Sequence, residues 1–186
     1  MTGSPDRLLD NVDSMDELFR RAAGSLKDAG WACEPRLSTD GGAYAPLHTA
    51  SDVVNAWASS FSLLSSADET VWFLSGDDYS PEAEGAFAWN ELEQLSIQAA
   101  TTADEAAAAS LFWGRHLPIL LSVRNGYEYL AVRDDGAVVH GTEPDFEEAV
   151  VVLSQFEDLL TYIIERPARR NRVLESLLFD ATTDPR

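Results

Sequence analysis

Histidines are the first residues to consider for chemistry, because histidine is a frequent general base and metal ligand. His48, His116 and His140 are far apart in the sequence, and no triad or metal motif surrounds any of them. The chain also lacks a phosphate-binding glycine loop, a dinucleotide fingerprint, a nucleophile elbow and a paired-histidine zinc motif. We therefore expect structural or exposed histidines, and we predict no catalytic residue, no metal site and no cofactor.

Carboxylates are more numerous than histidines, but their positions in the sequence do not indicate a particular chemistry either. After Asp77 and Asp78, an EF-hand loop would need oxygen ligands where Tyr79 and Pro81 stand, so a turn that ends a strand is favoured over a metal site. Any acidic chain offers many pairs of carboxylates, and such pairs alone do not indicate a glycosidase. A hydrolase assembled from distant Asp, Glu and His residues remains an alternative.

The chain has 32 acidic residues against 13 basic ones, a net charge of −19. Residues 37–114 contain twelve acids and no base, and residues 134–158 contain eight acids and no base. Four arginines gather instead at Arg166, Arg169, Arg170 and Arg172, where they suit a helix end better than a phosphate site. Such a surface repels nucleic acid and anionic lipid, so we predict a basic protein partner, no nucleic acid and no membrane. A merely solvated acidic surface is the plainer interpretation.

Contacts with a basic partner would come from the acids of 77–93, from Asp104 and Glu105, and from the acids of 134–148, with exposed aromatic side chains as central contacts. The predicted partner-binding residues are Asp77, Asp78, Tyr79, Glu82, Glu84, Trp89, Glu91, Asp134 and Asp135.

The elements that must position these residues can be read from local patterns. Ser/Thr-x-x-Glu capping boxes predict helices that start at Ser14, Thr102 and Ser154, and apolar spacing predicts another from Ser51 to about Leu64. Residues 70–74 read as a strand. The Asn125-Gly126 and Asp135-Gly136 turns separate three apolar runs, which predicts a three-stranded antiparallel meander over about 117–141. Residues 150–152 could add a further strand.

These elements predict an α+β fold with a mainly antiparallel sheet, flanked by N-terminal and C-terminal helices. We expect a flexible N-terminus over 1–13, one domain over 14–165 and an Arg-rich helical extension over 166–186. The single cysteine, Cys33, excludes an internal disulfide and is expected to be inert packing. No secretory signal and no apolar run near the ~20 residues of a membrane helix is visible, so a cytoplasmic location is expected.

A series of motifs runs through residues 71–160 of the chain. They are an aromatic strand ending in glycine (71–76), an aromatic segment with Glu-Leu-Glu (87–95), Leu-Pro-Ile (117–119), the hairpin at 125–126, the Asp-Gly-x-Val-Val strand (135–139) and a closing Ser, Phe, acid and Leu-Leu pattern (151–160). With these motifs, residues 72–164 resemble the SUKH superfamily of fungal cell-wall regulators and bacterial immunity proteins.

The resemblance implies an α+β domain without known catalytic residues. Its bacterial members often neutralise a toxin, frequently a nuclease, whereas its fungal members suggest a regulatory or scaffold role. We therefore expect a non-catalytic immunity protein that binds its toxin through an acidic face. A regulatory or scaffold module with an unknown partner is the alternative.

Overall fold

A computed structural model describes residues 6–36, 46, 50–80 and 89–180 of the chain. The helices are α1 (Asp6–Asp28), α2 (Asp52–Ser59), α3 (Glu91–Ala99), α4 (Ala103–Trp113), α5 (Phe156–Glu165) and α6 (Arg172–Leu178). The strands are β1 (Ala32–Pro35), β2 (Phe61–Ser65), β3 (Val71–Phe73), β4 (His116–Ser122), β5 (Glu128–Arg133), β6 (Val138–Thr142) and β7 (Val150–Leu153). A 3₁₀ turn covers Gly76–Tyr79.

The seven strands form one antiparallel sheet, and their order across the sheet is their order along the chain. The α+β class is thus confirmed. Strands β4 to β6 cover the predicted meander, but they are only the middle of a larger sheet to which β7 adds the suspected further strand. Among the described residues, β1 and β7 are the two edges.

The predicted helix from Ser51 to Leu64 was wrong in its second half. Helix α2 ends at Ser59, and the Ser60 amide donates back to the Trp57 carbonyl oxygen. The chain then enters β2, which pairs with β1 through Leu64 and Cys33. Leu64 is still buried in the core, but strand pairing rather than helical spacing places it there. Tertiary context overrides local propensity at such short apolar runs.

Two predicted helix starts were also wrong, and one was confirmed. Helix α1 begins at Asp6, so Ser14 lies inside it rather than at its start. Helix α5 is preceded by Gln155, not Ser154, as its cap residue. The Thr102–Glu105 capping box forms as predicted, with Glu105 N–H donating to Thr102 Oγ1 at 3.2 Å.

Apolar clusters lie on both faces of the sheet. Alternate residues of β5 point to opposite sides: Leu130 joins the cluster formed with α1, α2, α5 and α6, whereas Tyr129 joins the one formed with α3, α4 and the 3₁₀ turn. The half-buried Cys33 packs against the first cluster, in line with its predicted role. The central strands are therefore covered on both faces, which explains their nearly continuous apolar sequences.

Helix α6, in the Arg-rich segment, belongs to the same core through Leu174 and its apolar neighbours. One side chain binds two carbonyl oxygens at its end: Arg124 donates to Ser176 O in the last turn at 2.8 Å and to Asp180 O, two residues beyond the helix, at 2.7 Å. Arg166 and Arg170 both bind Glu175; Arg166 also caps the C-terminal end of α5, where a positive side chain is favourable. No described helix is long and apolar enough to cross a membrane.

Candidate protein-binding surface

The first three predicted contact residues hold the fold together. Asp77 accepts two hydrogen bonds from Arg36, at 3.0 and 2.6 Å, which link the end of β1 to the 3₁₀ turn. Asp78 accepts from the amide and the hydroxyl of Ser75 and so caps that turn. Tyr79 is only 1% exposed, and its hydroxyl donates to the Pro118 carbonyl oxygen at 2.7 Å. The prediction of Tyr79 as an exposed contact is wrong, because its ring lies in the core.

Asp134 and Asp135 lie at the β5–β6 turn, and each has its own arginine. Asp134 accepts from Arg115 Nε at 2.7 Å, and Asp135 accepts from Arg133 at 2.6 Å. The hydrogen bond from Arg115 lowers the pKa of Asp134, and the one from Arg133 lowers the pKa of Asp135 to about 2. Both carboxylates stay charged at neutral pH, but the turn carries no excess negative charge.

Of the remaining predicted residues, the structure describes Trp89 and Glu91. Glu82 and Glu84 lie outside the described residues, as does His48. Trp89 is half-buried and its ring lies 6.5 Å from that of Tyr79. Glu91 opens α3, where a carboxylate suits the positive end of the helix dipole.

A cleft of about 250 Å³ does bring Trp89 and Asp134 together. Sequence reasoning missed its other main lining residues, Trp113, Arg115, His116 and Arg133, because they come from three different elements. Trp89 and Trp113 make part of its wall aromatic, and its charged lining residues are Arg115, Arg133 and Asp134. The cleft could take a small ligand or a partner side chain, but it carries no excess negative charge to attract a basic one.

His116 is the described histidine that lines this cleft, and its hydrogen bond goes to a backbone carbonyl oxygen rather than to a carboxylate. His116 Nδ1 lies 2.7 Å from the Phe112 carbonyl oxygen, an acceptor, so Nδ1 carries the proton. Burial lowers the pKa of His116 and favours its neutral form. His140 does contact a carboxylate, Glu128 at 3.1 Å, but neither residue lines the cleft. The hydrolase alternative would need a histidine–carboxylate contact inside a cleft. Among the described residues, the His140–Glu128 contact lies outside this cleft.

A different group of carboxylates has no arginine partner among the described residues. We define the acidic edge as four acids of the β6–β7 loop and two acids of the first turn of α5, at the two ends of strand β7. Its members are Glu143, Asp145, Glu147, Glu148, Glu157 and Asp158. All are exposed. In the part of the chain that the structure describes, none of them forms a salt bridge.

The loop that carries most of these acids is fixed to the core. Phe146 lies between Asp145 and Glu147 and is 5% exposed, packed in the second apolar cluster. Tyr129 donates its hydroxyl to the Phe146 carbonyl oxygen at 2.6 Å. Glycine at 141 makes room for that tyrosine, because a Cβ there would approach its ring to 2.4 Å. The acids are therefore presented on a fixed loop, which lowers the entropy cost of binding.

The sequence pointed to part of this surface. The base-free run 134–158 includes all six acids of the acidic edge. The predicted contact range 134–148 covers the four loop acids, although Asp134 and Asp135 were the residues singled out from it, and Glu157 and Asp158 lie beyond it. Arg133 precedes Asp135 by two residues, so pairing at that turn was foreseeable. The loop 143–148 has no base nearby in sequence.

Comparisons with known proteins add no relative: no protein-family model matches the chain, nor does any curated protein or any solved structure.

Proposed function

We propose that the protein is a non-catalytic binding domain of the immunity type, which neutralises a basic toxin through the acidic edge. The observation that carries this proposal is the set of six exposed carboxylates without a described cationic partner, four of them on a loop fixed by the buried Phe146. The resemblance of residues 72–164 to the SUKH superfamily supports the same function, and we propose a bacterial protein that acts in the cytoplasm.

The charge arrangement suits a nuclease toxin in particular. A nuclease needs a basic surface to hold the phosphate backbone. An acidic protein surface can occupy that basic surface and exclude the nucleic acid. Complementary charge also raises the association rate, by about 10- to 1,000-fold at low salt. Fast capture matters for an inhibitor, because each free toxin molecule continues to act.

The test is co-expression with the toxin encoded by a neighbouring gene. The acidic-edge triple variant carries Asp145→Lys, Glu147→Lys and Glu148→Lys. A matched control carries Asp28→Lys, Glu34→Lys and Glu165→Lys, which make the same change in charge at exposed acids elsewhere. We expect the acidic-edge variant to lose growth rescue and to associate with the toxin at least about tenfold more slowly at low salt. The control should keep both.

Equal rescue by the two variants would contradict the proposal, provided that circular dichroism shows both to be folded. A stable complex with a housekeeping protein, in a genome without a neighbouring toxin gene, would instead favour the regulatory or scaffold role.

A further inference from the structure

Strand β7 combines exposed apolar side chains with an open sheet edge. Val150 is 57% exposed and Val151 is 53% exposed, although both are valines in a strand. Val151 lies opposite Val139, and Val150 lies opposite His140, in the pairing with β6. Residues directly opposite each other share a face, so the two valines expose apolar surface on both faces of the edge.

The backbone of β7 is also open on one side. Within the described residues β7 pairs with β6 alone, which leaves amide and carbonyl groups along its other side without a strand partner. One exception is the Val152 carbonyl oxygen, which accepts from Asn171 Nδ2 at 3.3 Å. The open stretch therefore lies toward Val150, beside the acids of the β6–β7 loop.

The acids at both ends of β7 determine what can pair with it. A second copy of this chain would bring its own acidic edge against this one, and like charges oppose that pairing. A basic segment would meet opposite charge at both ends. Extended residues rise about 3.3 Å each, so β7 matches a short segment with an apolar centre and cationic ends.

We propose that β7 binds an extended basic segment of the partner as an added antiparallel strand. This proposal rests on the proposed function and specifies how the acidic edge is used. Main-chain hydrogen bonds to β7 hold the segment, the two valines contact its central side chains, and the flanking acids contact its lysines or arginines. Strand addition of this kind is a known mode of peptide recognition.

The first test uses a synthetic peptide, Lys-Lys-Val-Thr-Val-Lys-Lys, titrated into the ¹⁵N-labelled full chain at low salt. A matched peptide has the same sequence with N-methyl groups on its three central amides, which removes the donors and keeps the charge. We expect the amide shifts to concentrate at residues 148–153 and the first peptide to bind at least tenfold more tightly. Equal affinities, shifts elsewhere or no binding would overturn the proposal.

The second test separates this proposal from the proposed function. Val150→Lys adds a positive charge to the exposed edge, and Leu111→Lys makes the same change at a 70% exposed leucine on α4. We expect Val150→Lys to lower affinity for the unmethylated peptide at least tenfold and Leu111→Lys to have no effect. If the Val150→Lys variant binds the toxin normally while the acidic-edge triple variant does not bind it, strand addition is wrong and the acidic-edge function stands. If the triple variant binds the toxin normally, the function itself is wrong.

Discussion

The carboxylates at residues 77, 78, 134 and 135 and those of the acidic edge have the same chemistry but different surroundings. Asp77, Asp134 and Asp135 are each bound by an arginine, and Asp78 is bound by the amide and hydroxyl of Ser75. The acids of the acidic edge have no such partner among the described residues. The first group stabilises turns and links elements; an arginine cancels the charge of Asp77, Asp134 and Asp135, whereas Asp78 is held by hydrogen bonds from Ser75. The second contributes an uncancelled field, so only the second is suited to attract a cation.

The largest change in stability is expected at Phe146, the buried residue that fixes the loop of the acidic edge to the core. Phe146→Ala removes a buried ring from beneath the β6–β7 loop and should lower the free energy of unfolding by about 3 kcal/mol. The loosened loop should also slow association with the basic partner. Urea unfolding and binding kinetics measure the two effects. Phe146→Leu is the control, with a loss under about 1.5 kcal/mol and normal association. Unchanged stability in Phe146→Ala would show that the loop is not fixed by this ring.

Among the carboxylates, Asp77 should have the larger structural role. Asp77→Asn removes the charge that the Arg36 guanidinium binds, and the Arg36 side chain is only 13% exposed. We expect a loss of about 1–2 kcal/mol in the free energy of unfolding. Glu148→Gln on the acidic edge should stay within about 0.5 kcal/mol of the wild type. Equal losses in urea unfolding would remove the distinction between the two groups.

The fold was more predictable than the site, for reasons that differ by element. The Asn-Gly and Asp-Gly turns define β4 to β6 locally, since those residues tolerate the backbone that tight turns need. Strands β1 and β2 are short, and pairing between residues such as Cys33 and Leu64 defines them. No local pattern contains that information.

The site depends on partners that are distant in sequence. Arg36 and Asp77 are 41 residues apart, and Tyr79 finds its acceptor at Pro118, 39 residues away. Sequence alone could locate the acids of 134–158 but could not show that Arg115 neutralises one of them. The cleft between Trp89 and Asp134 likewise follows from the packing of α3 and α4 on the sheet, and not from spacing.

The smallest expected effect tests the difference between the two groups of carboxylates most directly. Neutralising acids of the acidic edge should leave the stability unchanged or raise it, whereas Asp77→Asn should lower it. Asp145→Asn, Glu147→Gln and Glu148→Gln together remove three like charges from one loop of a chain with net charge −19. Since self-repulsion destabilises the compact state, the triple variant should be as stable as the wild type or about 0.5 kcal/mol more stable at low ionic strength. Added salt screens exposed charges beyond about 8–10 Å, so the gain should shrink in 0.5 M NaCl. Urea unfolding at both salt concentrations measures it. A loss above about 1 kcal/mol would mean that these acids have structural partners after all, and their availability to a cationic partner would then lose its basis.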